Sequence, residues 1–297
     1  MLPFGSAAPD GTPFEHVPVS VWRSHLRQVR DLGFDHIDPT DGWVPLDTLS
    51  DAMIGEFKAA LDEEGLAVSS ISMTRNSVVE VERGDANLEM AHRLLDVAPA
   101  LGATIVSIGF MQALTVEQRK APWFWLVDGH EDSPELRPLA VERVRELAEH
   151  AGRSEVELSL EIYEDTFVGT PEEAVRFLED VDHPAVGLNP DLANLIRLHR
   201  PVAPYDGMFE TVLPFANFWH MKNYTRDEDL VTGSYHSAPM PLKYGLIDYR
   251  AVIRRALELG FSGPMCCEHY GGDSLGVSAE NREYIREVLG SLPRRAQ

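Results

Sequence analysis

The stretch GPMCCEHYGG, residues 263–272, ends a short apolar run with a glutamate and a histidine directly before two glycines. A chain that ends a buried strand usually continues into turn residues such as Gly, Pro, Asn or Ser. Three other apolar runs also end on charged or metal-ligating side chains, in SLEIYED (159–165), VGLNPD (186–191) and NFWHMKN (217–223). The repetition indicates that these endings serve one purpose.

Around these endings, short apolar runs alternate with longer amphipathic segments of helical spacing. Seven runs predict strands, and a weaker eighth precedes them: 2–7 (weak), 34–38, 66–73, 103–110, 156–163, 185–189, 215–221 and 263–269. The intervening segments predict helices at roughly 18–32, 47–64, 86–101, 136–152, 171–180, 205–213, 248–260 and 278–290. Eight strand–helix units in 297 residues predict an α/β protein with a single (β/α)₈ TIM barrel.

An open, doubly wound sheet is the alternative architecture for the same alternation. Such a sheet would concentrate polar residues at one switch point, whereas here they follow strands along the whole chain. No linker rich in Pro, Gly or Ser divides the sequence, so we expect one domain over 1–297. Long loops are predicted at 111–135 and 223–246, and loops of this length after barrel strands commonly cover active sites.

Composition narrows the classes of partner. The formal net charge of −22 repels phosphate backbones and anionic membranes, and no basic stripe offsets it, so we expect neither nucleic acid nor membrane as a partner. Neither a signal peptide nor an apolar stretch of membrane-spanning length is evident. The two cysteines are adjacent and give no disulfide framework. These features predict a cytoplasmic location.

Side-chain alternation places the polar residues of the late strands on one face. If that face points into the barrel, four side chains meet near its top: Glu161, Asp191, His220 and Glu268. Three buried carboxylates without a counter-charge would be very costly, and a divalent cation removes that cost. Three carboxylates and one imidazole suit Mn²⁺, which we expect, or Mg²⁺, Co²⁺ or Fe²⁺. Taken singly, each residue has a structural reading, such as a helix N-cap for Asp191.

The segments LEIYED, GLNPDLANL, HMKNY and CCEHYGGD resemble the sugar isomerase/epimerase family with the xylose isomerase-like barrel. That family includes ketose 3-epimerases, keto-inositol isomerases and dehydratases, C-glycoside deglycosidases and apurinic endonucleases. The resemblance implies that Glu161, Asp191, His220 and Glu268 bind one divalent metal ion. In the ketose epimerase branch it further implies that Glu161 and Glu268 transfer the proton. Asn194 stands where many members have a histidine, so a proton-carrying group is absent at that position.

Other residues are candidates for substrate contact around this centre. Lys222 shares a face with His220 and could stabilise an oxyanion, although a salt bridge at the rim is an equal reading. Asn194 could bind a sugar hydroxyl. Further substrate-binding candidates follow early strands or lie in the second loop: Arg75, Asp38, Trp43 and His236.

The resulting functional hypothesis is a metal-dependent isomerase or epimerase of an unphosphorylated keto sugar or keto-inositol, acting through an enediolate. A lyase of the same fold is the alternative: an inosose dehydratase, or a deglycosidase that cleaves a 3-keto glycoside or C-glycoside. The aromatic run Trp123–Trp125 slightly favours a substrate with an apolar aglycone. A non-catalytic sugar-binding barrel is the third reading. We expect a homo-oligomer, with a small partner subunit if the protein is a deglycosidase.

Overall fold

The computed structural model describes residues 4, 5, 7 and 11–291, with the side chain of Glu15 left out. Ten α-helices occur in these residues: α1 Val19–Asp31, α2 Asp51–Glu64, α3 Gly84–Leu101, α4 Val116–Lys120, α5 Arg137–Arg153, α6 Pro171–Val181, α7 Ala193–Ile196, α8 Tyr205–Val212, α9 Tyr249–Glu258 and α10 Ser274–Gly290. The same residues contain ten strands: β1 His36–Ile37, β2 Ala67–Val68, β3 Ser70–Ser72, β4 Ile105–Ile108, β5 Glu157–Glu161, β6 Val186–Asn189, β7 Trp219–Met221, β8 Asn223–Asp229, β9 Ser234–Met240 and β10 Met265–Cys267.

The parallel strands follow one another as a TIM barrel requires, and the predicted fold class is confirmed. β3, β4, β5 and β6 pair in that order, β1 pairs with β2, and β7 pairs with β10. Isolated parallel bridges, Thr40 to Ser72 and Leu188 to Ala216, connect these groups. Seven predicted strand segments each contain a parallel strand. The weak first candidate, 2–7, falls largely outside the described residues.

Local sequence explains where the helices begin and end. Thr170 caps α6 by accepting a hydrogen bond from the amide of Glu173, and Pro171 occupies the first helical turn. Gly65 and Gly102 follow α2 and α3 with φ of 69° and 79°, a conformation that glycine adopts without strain. These glycines reverse the chain direction, so that the next strand runs back through the barrel.

The barrel interior changes character towards the carboxyl ends of the strands. Aliphatic residues fill most of the core, but Ser72, Ser107 and Ser159 are buried side by side in the register of β3, β4 and β5. These small residues leave room at the level where β5 ends at Glu161. The fold therefore keeps space at the end of the barrel that carries the polar strand endings.

Two parts of the structure differ from the sequence-based expectation. The segment 66–73 is divided at Ser69 into β2 and β3, because β2 pairs with β1 while β3 pairs with β4. The segment 223–246, predicted as a loop, forms an antiparallel hairpin of β8 and β9. The run RDED (226–229) in β8 has no alternation of apolar and polar residues, so no strand pattern was detectable there.

The other predicted loop, 111–135, contains α4 and two short 3₁₀ turns, Phe124–Leu126 and Pro134–Leu136. Among the described residues, no helix combines the length and apolar character needed to cross a bilayer.

Candidate active site

Four elements of the barrel deliver the predicted metal-binding side chains to one place. Glu161 is the last residue of β5, Asp191 follows β6 by two residues, His220 is central in β7 and Glu268 follows β10 directly. Glu161, Asp191 and His220 are buried, and Glu268 is partly exposed. We call these four residues the carboxylate–histidine cluster. It occupies the carboxyl end of the barrel, where enzymes of this fold place their active sites.

The donor atoms of this cluster converge within metal-binding range. His220 Nδ1 lies 3.5 Å from Glu161 Oε2 and 3.9 Å from Glu268 Oε2. One donor atom each from Glu161, Asp191 and His220 lies within 4.8 Å of the others. The four residues therefore present three carboxylates and one imidazole to a common point.

The His220 imidazole is held in one orientation from behind. Its Nε2 lies 3.0 Å from Asp38 Oδ2, which also accepts a hydrogen bond from Ser72 Oγ. Its backbone amide donates to Asn189 Oδ1 at 2.8 Å. Because Nε2 faces a carboxylate, we place a proton on Nε2. Burial acts to lower the pKa of His220, but Asp38 and Glu161 outweigh it and hold the pKa well above its ordinary value, so a metal ion at Nδ1 would take the place of a proton there. This carboxylate–imidazole arrangement is typical of metal-ligating histidines.

Several buried polar atoms of the cluster lack the hydrogen bonds that burial normally demands. Among the described residues, Oδ1 of Asp191 and Nδ1 of His220 have no hydrogen-bond partner although both residues are buried, and Oδ2 of Asp191 has only an ion pair with Lys222. Burial raises the pKa of Asp191 to about 7, even though Lys222 opposes the shift. A cation bound by these atoms would satisfy them and offset the burial cost, so the residues present fit a divalent metal ion.

Lys222 is part of the same charge network. Its Nζ lies 2.7 Å from Asp191 Oδ2 and donates to Glu268 Oε2 at 2.9 Å. Burial acts to lower the pKa of Lys222, but Asp191 and Glu268 outweigh it and hold the pKa well above its ordinary value. Burial likewise acts to raise the pKa of Glu268, and Lys222 reverses this and lowers it. Lys222 is thus a cation, and it contacts the cluster directly.

Cys266 also approaches the imidazole, in a group with Asp38 and His220. Burial raises the pKa of the Cys266 thiol well above its ordinary value, which disfavours a thiolate ligand. The oxygen-rich set with Glu161 and Asp191 therefore suits a metal better than a set that includes this sulfur.

The structure gives Asn194 and Asp38 contacts within the protein. Asn194 is fully buried, and its Nδ2 donates to Glu161 Oε1 at 3.0 Å and to the Ile162 carbonyl at 2.9 Å. Asp38, as described, engages His220. Both residues were predicted to contact substrate, and that stays a prediction. The contacts described here show that their side chains also position Glu161 and His220.

The remaining substrate-binding candidates divide into one near the cluster and two away from it. Arg75 lines the same cavity as Glu161, His220 and Glu268. Trp43 also reaches the cavity wall, but its ring is only 1% exposed and packs against the rings of Phe14 and Phe57. His236 lies exposed on β9, opposite Asp227 in the hairpin, and is not brought to the cavity.

In the aromatic run of the loop 111–135, the two tryptophans pack against the protein outside the cavity, and Phe124 lies beneath the cavity residue Arg75. Trp125 is buried, donates from Nε1 to Ser237 Oγ of the hairpin, and stacks with Trp123. Neither tryptophan lines the cavity that holds the cluster. The expectation that this run favours an apolar aglycone therefore gains no support from the contacts of these two tryptophans.

Arg197 is a functional-looking residue that sequence reasoning missed. It is fully buried, its Nη2 donates to both oxygens of Glu164 at 3.2 and 3.3 Å, and its Nη1 donates to Tyr224 Oη. Four rings surround the guanidinium at 4.9–5.8 Å, from Phe124, Trp125, Tyr163 and Tyr224. We call this group the arginine cage. Position in the sequence was the available signal, since Glu164 and Arg197 each follow a site residue, Glu161 and Asn194, by three.

Comparison with known proteins agrees with the fold. The model of the family described as xylose isomerase-like TIM barrel matches residues 26–294. A crystal structure of a xylose isomerase-like TIM barrel protein from Mycobacterium smegmatis, in complex with magnesium, is 64% identical with a TM-score of 0.94. The match covers 97% of this chain and 94% of that chain.

More distant relatives include characterised enzymes. The ketose 3-epimerase of Arthrobacter globiformis is 24% identical over 267 residues, which cover 84% of this chain and 81% of that protein. A 3-keto-D-glucoside 4-epimerase from E. coli is 16% identical with a TM-score of 0.66, and the match covers 97% of this chain and 100% of that chain. At this identity, the latter likeness shows the fold alone.

Proposed function

We propose that this chain, which belongs to the xylose isomerase-like TIM barrel family, is a divalent-metal-dependent isomerase or epimerase of an unphosphorylated keto sugar or keto-inositol. The observation that carries the proposal is the convergence of three carboxylates on the His220 imidazole, in which Oδ1 of Asp191 and Nδ1 of His220 have no hydrogen-bond partner among the described residues. The magnesium complex of the Mycobacterium smegmatis protein supports a divalent cation in this fold.

Glu161, Asp191, His220 and Glu268 would hold the metal ion. Mn²⁺ is the ion we propose, with Mg²⁺, Co²⁺ or Fe²⁺ as alternatives for this ligand set. When bound, such an ion supplies Lewis acidity towards the oxygens of a hydroxy-ketone. The chain provides the remaining parts of the reaction.

Glu161 and Glu268 are the proposed proton-transfer pair. In its ionised form, one carboxylate accepts the proton from the carbon beside the carbonyl, and the C–H electron pair moves into an enediolate. In its protonated form, the other carboxylate returns a proton on the opposite face or on the neighbouring carbon. The two groups come from β5 and β10 and converge on the same nitrogen of His220, so a substrate at this point lies between them.

Lys222 and Asn194 contact the two glutamates and hold them in position. The Lys222 ammonium contacts Glu268 and Asp191, so its charge lies beside the place where the enediolate oxygen becomes negative. Asn194 fixes one oxygen of Glu161 and leaves the other directed at the cluster. An asparagine here carries no proton, which leaves proton transfer to the two glutamates.

Proton exchange tests the proposal. Metal-loaded protein is incubated in D₂O with ketoses, inososes and 3-keto glycosides, and each compound is followed by NMR. We expect deuterium beside a carbonyl together with a new diastereomer or a keto–aldo pair. Loss of water or release of an aglycone would instead select the lyase alternative.

A negative result would be equally informative. Protein that binds a divalent ion but exchanges no proton of any compound would contradict the isomerase proposal for these substrates. Protein without a bound ion, at metal concentrations that load the cluster of related enzymes, would overturn the metal-dependent scheme.

A further inference from the structure

Among the described residues, Arg75 has no carboxylate partner, although the protein is strongly acidic. The chain has 48 Asp and Glu against 26 Lys and Arg. No carboxylate oxygen within the described part of the chain lies within ion-pair distance of the Arg75 guanidinium, whereas Arg197 and Arg200, near the same end of the barrel, each pair with an acid. Arg75 lines the cavity that contains the carboxylate–histidine cluster.

The backbone at Arg75 is held in an uncommon conformation. Its φ is 53°, in the left-handed region that non-glycine residues rarely occupy. Asp41 fixes the residues on either side, because its carboxylate accepts hydrogen bonds from the Thr74 amide and hydroxyl and from Asn76 Nδ2, each at 2.7 Å. Strained residues of this kind concentrate at ligand sites, where the surrounding structure enforces them.

Hydrogen bonds orient the Arg75 side chain without using all of its donors. One Nη donates to Tyr163 Oη at 2.8 Å, the other donates to the Gln112 carbonyl at 3.2 Å, and the guanidinium lies 4.6 Å above the Phe124 ring. A guanidinium has five N–H donors. These two contacts therefore orient the group and leave donors available in the cavity.

The acids nearest the cavity are already engaged. Glu268 and Asp191 pair with Lys222, Glu161 accepts from Asn194, and Asp38 faces His220. Tyr163, which Arg75 contacts, follows Glu161 by two residues, a span of about 6.6 Å in extended chain. Arg75 and Tyr163 line the same cavity as Glu161, so a sugar that fills the cavity from the cluster extends towards Arg75.

We propose that Arg75 binds a carboxylate of the substrate, so that the substrate is a keto sugar acid and not a neutral keto sugar. A planar guanidinium with free donors matches a carboxylate in a bidentate manner. The assignment rests on the proposed function, since it places the reacting carbonyl at the carboxylate–histidine cluster and the acid at Arg75.

The test uses two ketoses that differ at one carbon, D-fructose and D-fructuronate, which has a carboxylate in place of the terminal hydroxymethyl group. Their rates of proton exchange are measured in D₂O with metal-loaded protein. We expect kcat/KM to favour the acid by roughly tenfold to a hundredfold, the range of one charge-assisted contact. Arg75→Gln, which keeps a donor for Tyr163 but removes the charge, should bring the ratio close to one.

Arg119→Gln is the matched control, because it removes one charge from an exposed arginine of α4 that does not line the cavity. It should leave the ratio unchanged. Equal use of both ketoses by the unmodified protein, or an acid preference that persists in Arg75→Gln, would overturn the proposal.

A binding measurement separates failure of this proposal from failure of the proposed function. Calorimetric titration compares D-gluconate with D-glucitol, which differ by a carboxylate and need not react. Tighter binding of gluconate that is lost in Arg75→Gln supports the acid site even if neither ketose exchanges. Gluconate affinity that is unchanged in Arg75→Gln would assign the carboxylate to another group and refute the role of Arg75.

Discussion

Two groups of buried charge lie at the same end of this barrel and are satisfied to different degrees. In the arginine cage, the two Nη atoms of Arg197 bind Glu164 and Tyr224, and aromatic rings enclose the guanidinium. In the carboxylate–histidine cluster, Asp191 and Glu268 share the Lys222 ammonium, and Oδ1 of Asp191 and Nδ1 of His220 have no hydrogen-bond partner among the described residues. One group neutralises its charge within the protein, and the other presents its donor atoms to something else.

The difference separates a structural role from a chemical one. A buried ion pair that is fully engaged contributes a fixed geometry, and removing one partner leaves an uncompensated charge. A buried cluster of metal-ligand atoms that lack partners lowers the stability of the folded protein. Binding of a cation to these atoms restores that stability. The arginine cage joins the loop 111–135 to the hairpin of β8 and β9, whereas the cluster faces the cavity. Substitutions in the cluster should therefore lower turnover, whereas substitutions in the arginine cage should lower the free energy of unfolding.

The largest expected effect is a loss of turnover on substitution of residues in the carboxylate–histidine cluster. Glu161→Gln and Glu268→Gln each keep the side-chain shape but remove the proton-accepting carboxylate. We expect each to reduce kcat by at least about 10²–10⁴-fold, the usual contribution of general acid–base catalysis. The measurement is the rate of deuterium incorporation, with thermal unfolding as the control for folding. Full activity in either variant would contradict the two-glutamate scheme.

Substitutions in the arginine cage should lower the stability of the folded protein. Arg197→Met leaves Glu164 buried without its cation, and we expect a loss of about 3–5 kcal/mol in the free energy of unfolding. Urea denaturation measures it. The double variant Arg197→Met with Glu164→Gln removes both charges and should recover part of the loss. A single variant as stable as the unmodified protein would show that the cage is not a stabilising element.

Metal addition should distinguish the two groups directly. At a metal concentration one hundred times the dissociation constant, binding to the folded state adds about 2.7 kcal/mol of stability. We expect this gain with Mn²⁺ or Mg²⁺ in the unmodified protein and in a destabilised but folded cage variant. Asp191→Asn should lose most of the gain, because it removes the negative charge of a proposed ligand whose Oδ1 has no hydrogen-bond partner among the described residues. An undiminished gain in Asp191→Asn would place the ion elsewhere.

The same contrast explains what the sequence could predict. The cluster was predictable because each member lies in a parallel strand or within two residues of its end, so strand alternation and barrel closure determine its position. The magnesium complex of the Mycobacterium smegmatis relative agrees with a divalent ion in this fold, although the four ligand assignments remain predictions. The barrel was predictable for the same reason, since the alternation of short and long segments is periodic.

The arginine cage was not predictable, because its partners are far apart in the chain. Trp125 and Ser237 are 112 residues apart and meet through a side-chain hydrogen bond that no local pattern encodes. The inward packing of Trp123 is likewise a tertiary contact. For Asn194, the sequence indicated a polar residue near the site, but whether its amide faces substrate or Glu161 depends on a rotamer that spacing does not determine.

The smallest expected effect is on the pH dependence of stability, and it concerns the loop 111–135, which contributes rings to the arginine cage. Asp132 accepts a hydrogen bond from the Phe167 amide at 3.0 Å, and burial raises its pKa to about 6 from an ordinary value of 3.8. Because the folded protein binds this proton more tightly, the group favours folding at low pH, and that contribution is lost as pH rises from about 4 to 6. Asp132→Asn should therefore be about 1–3 kcal/mol more stable than the unmodified protein above pH 6 and equal to it below pH 4. Urea unfolding across this range measures the difference, with the exposed neighbour Glu131→Gln as the control that should show none. A constant difference between Asp132→Asn and the unmodified protein at every pH would mean that packing, and not ionisation, sets the contribution of Asp132.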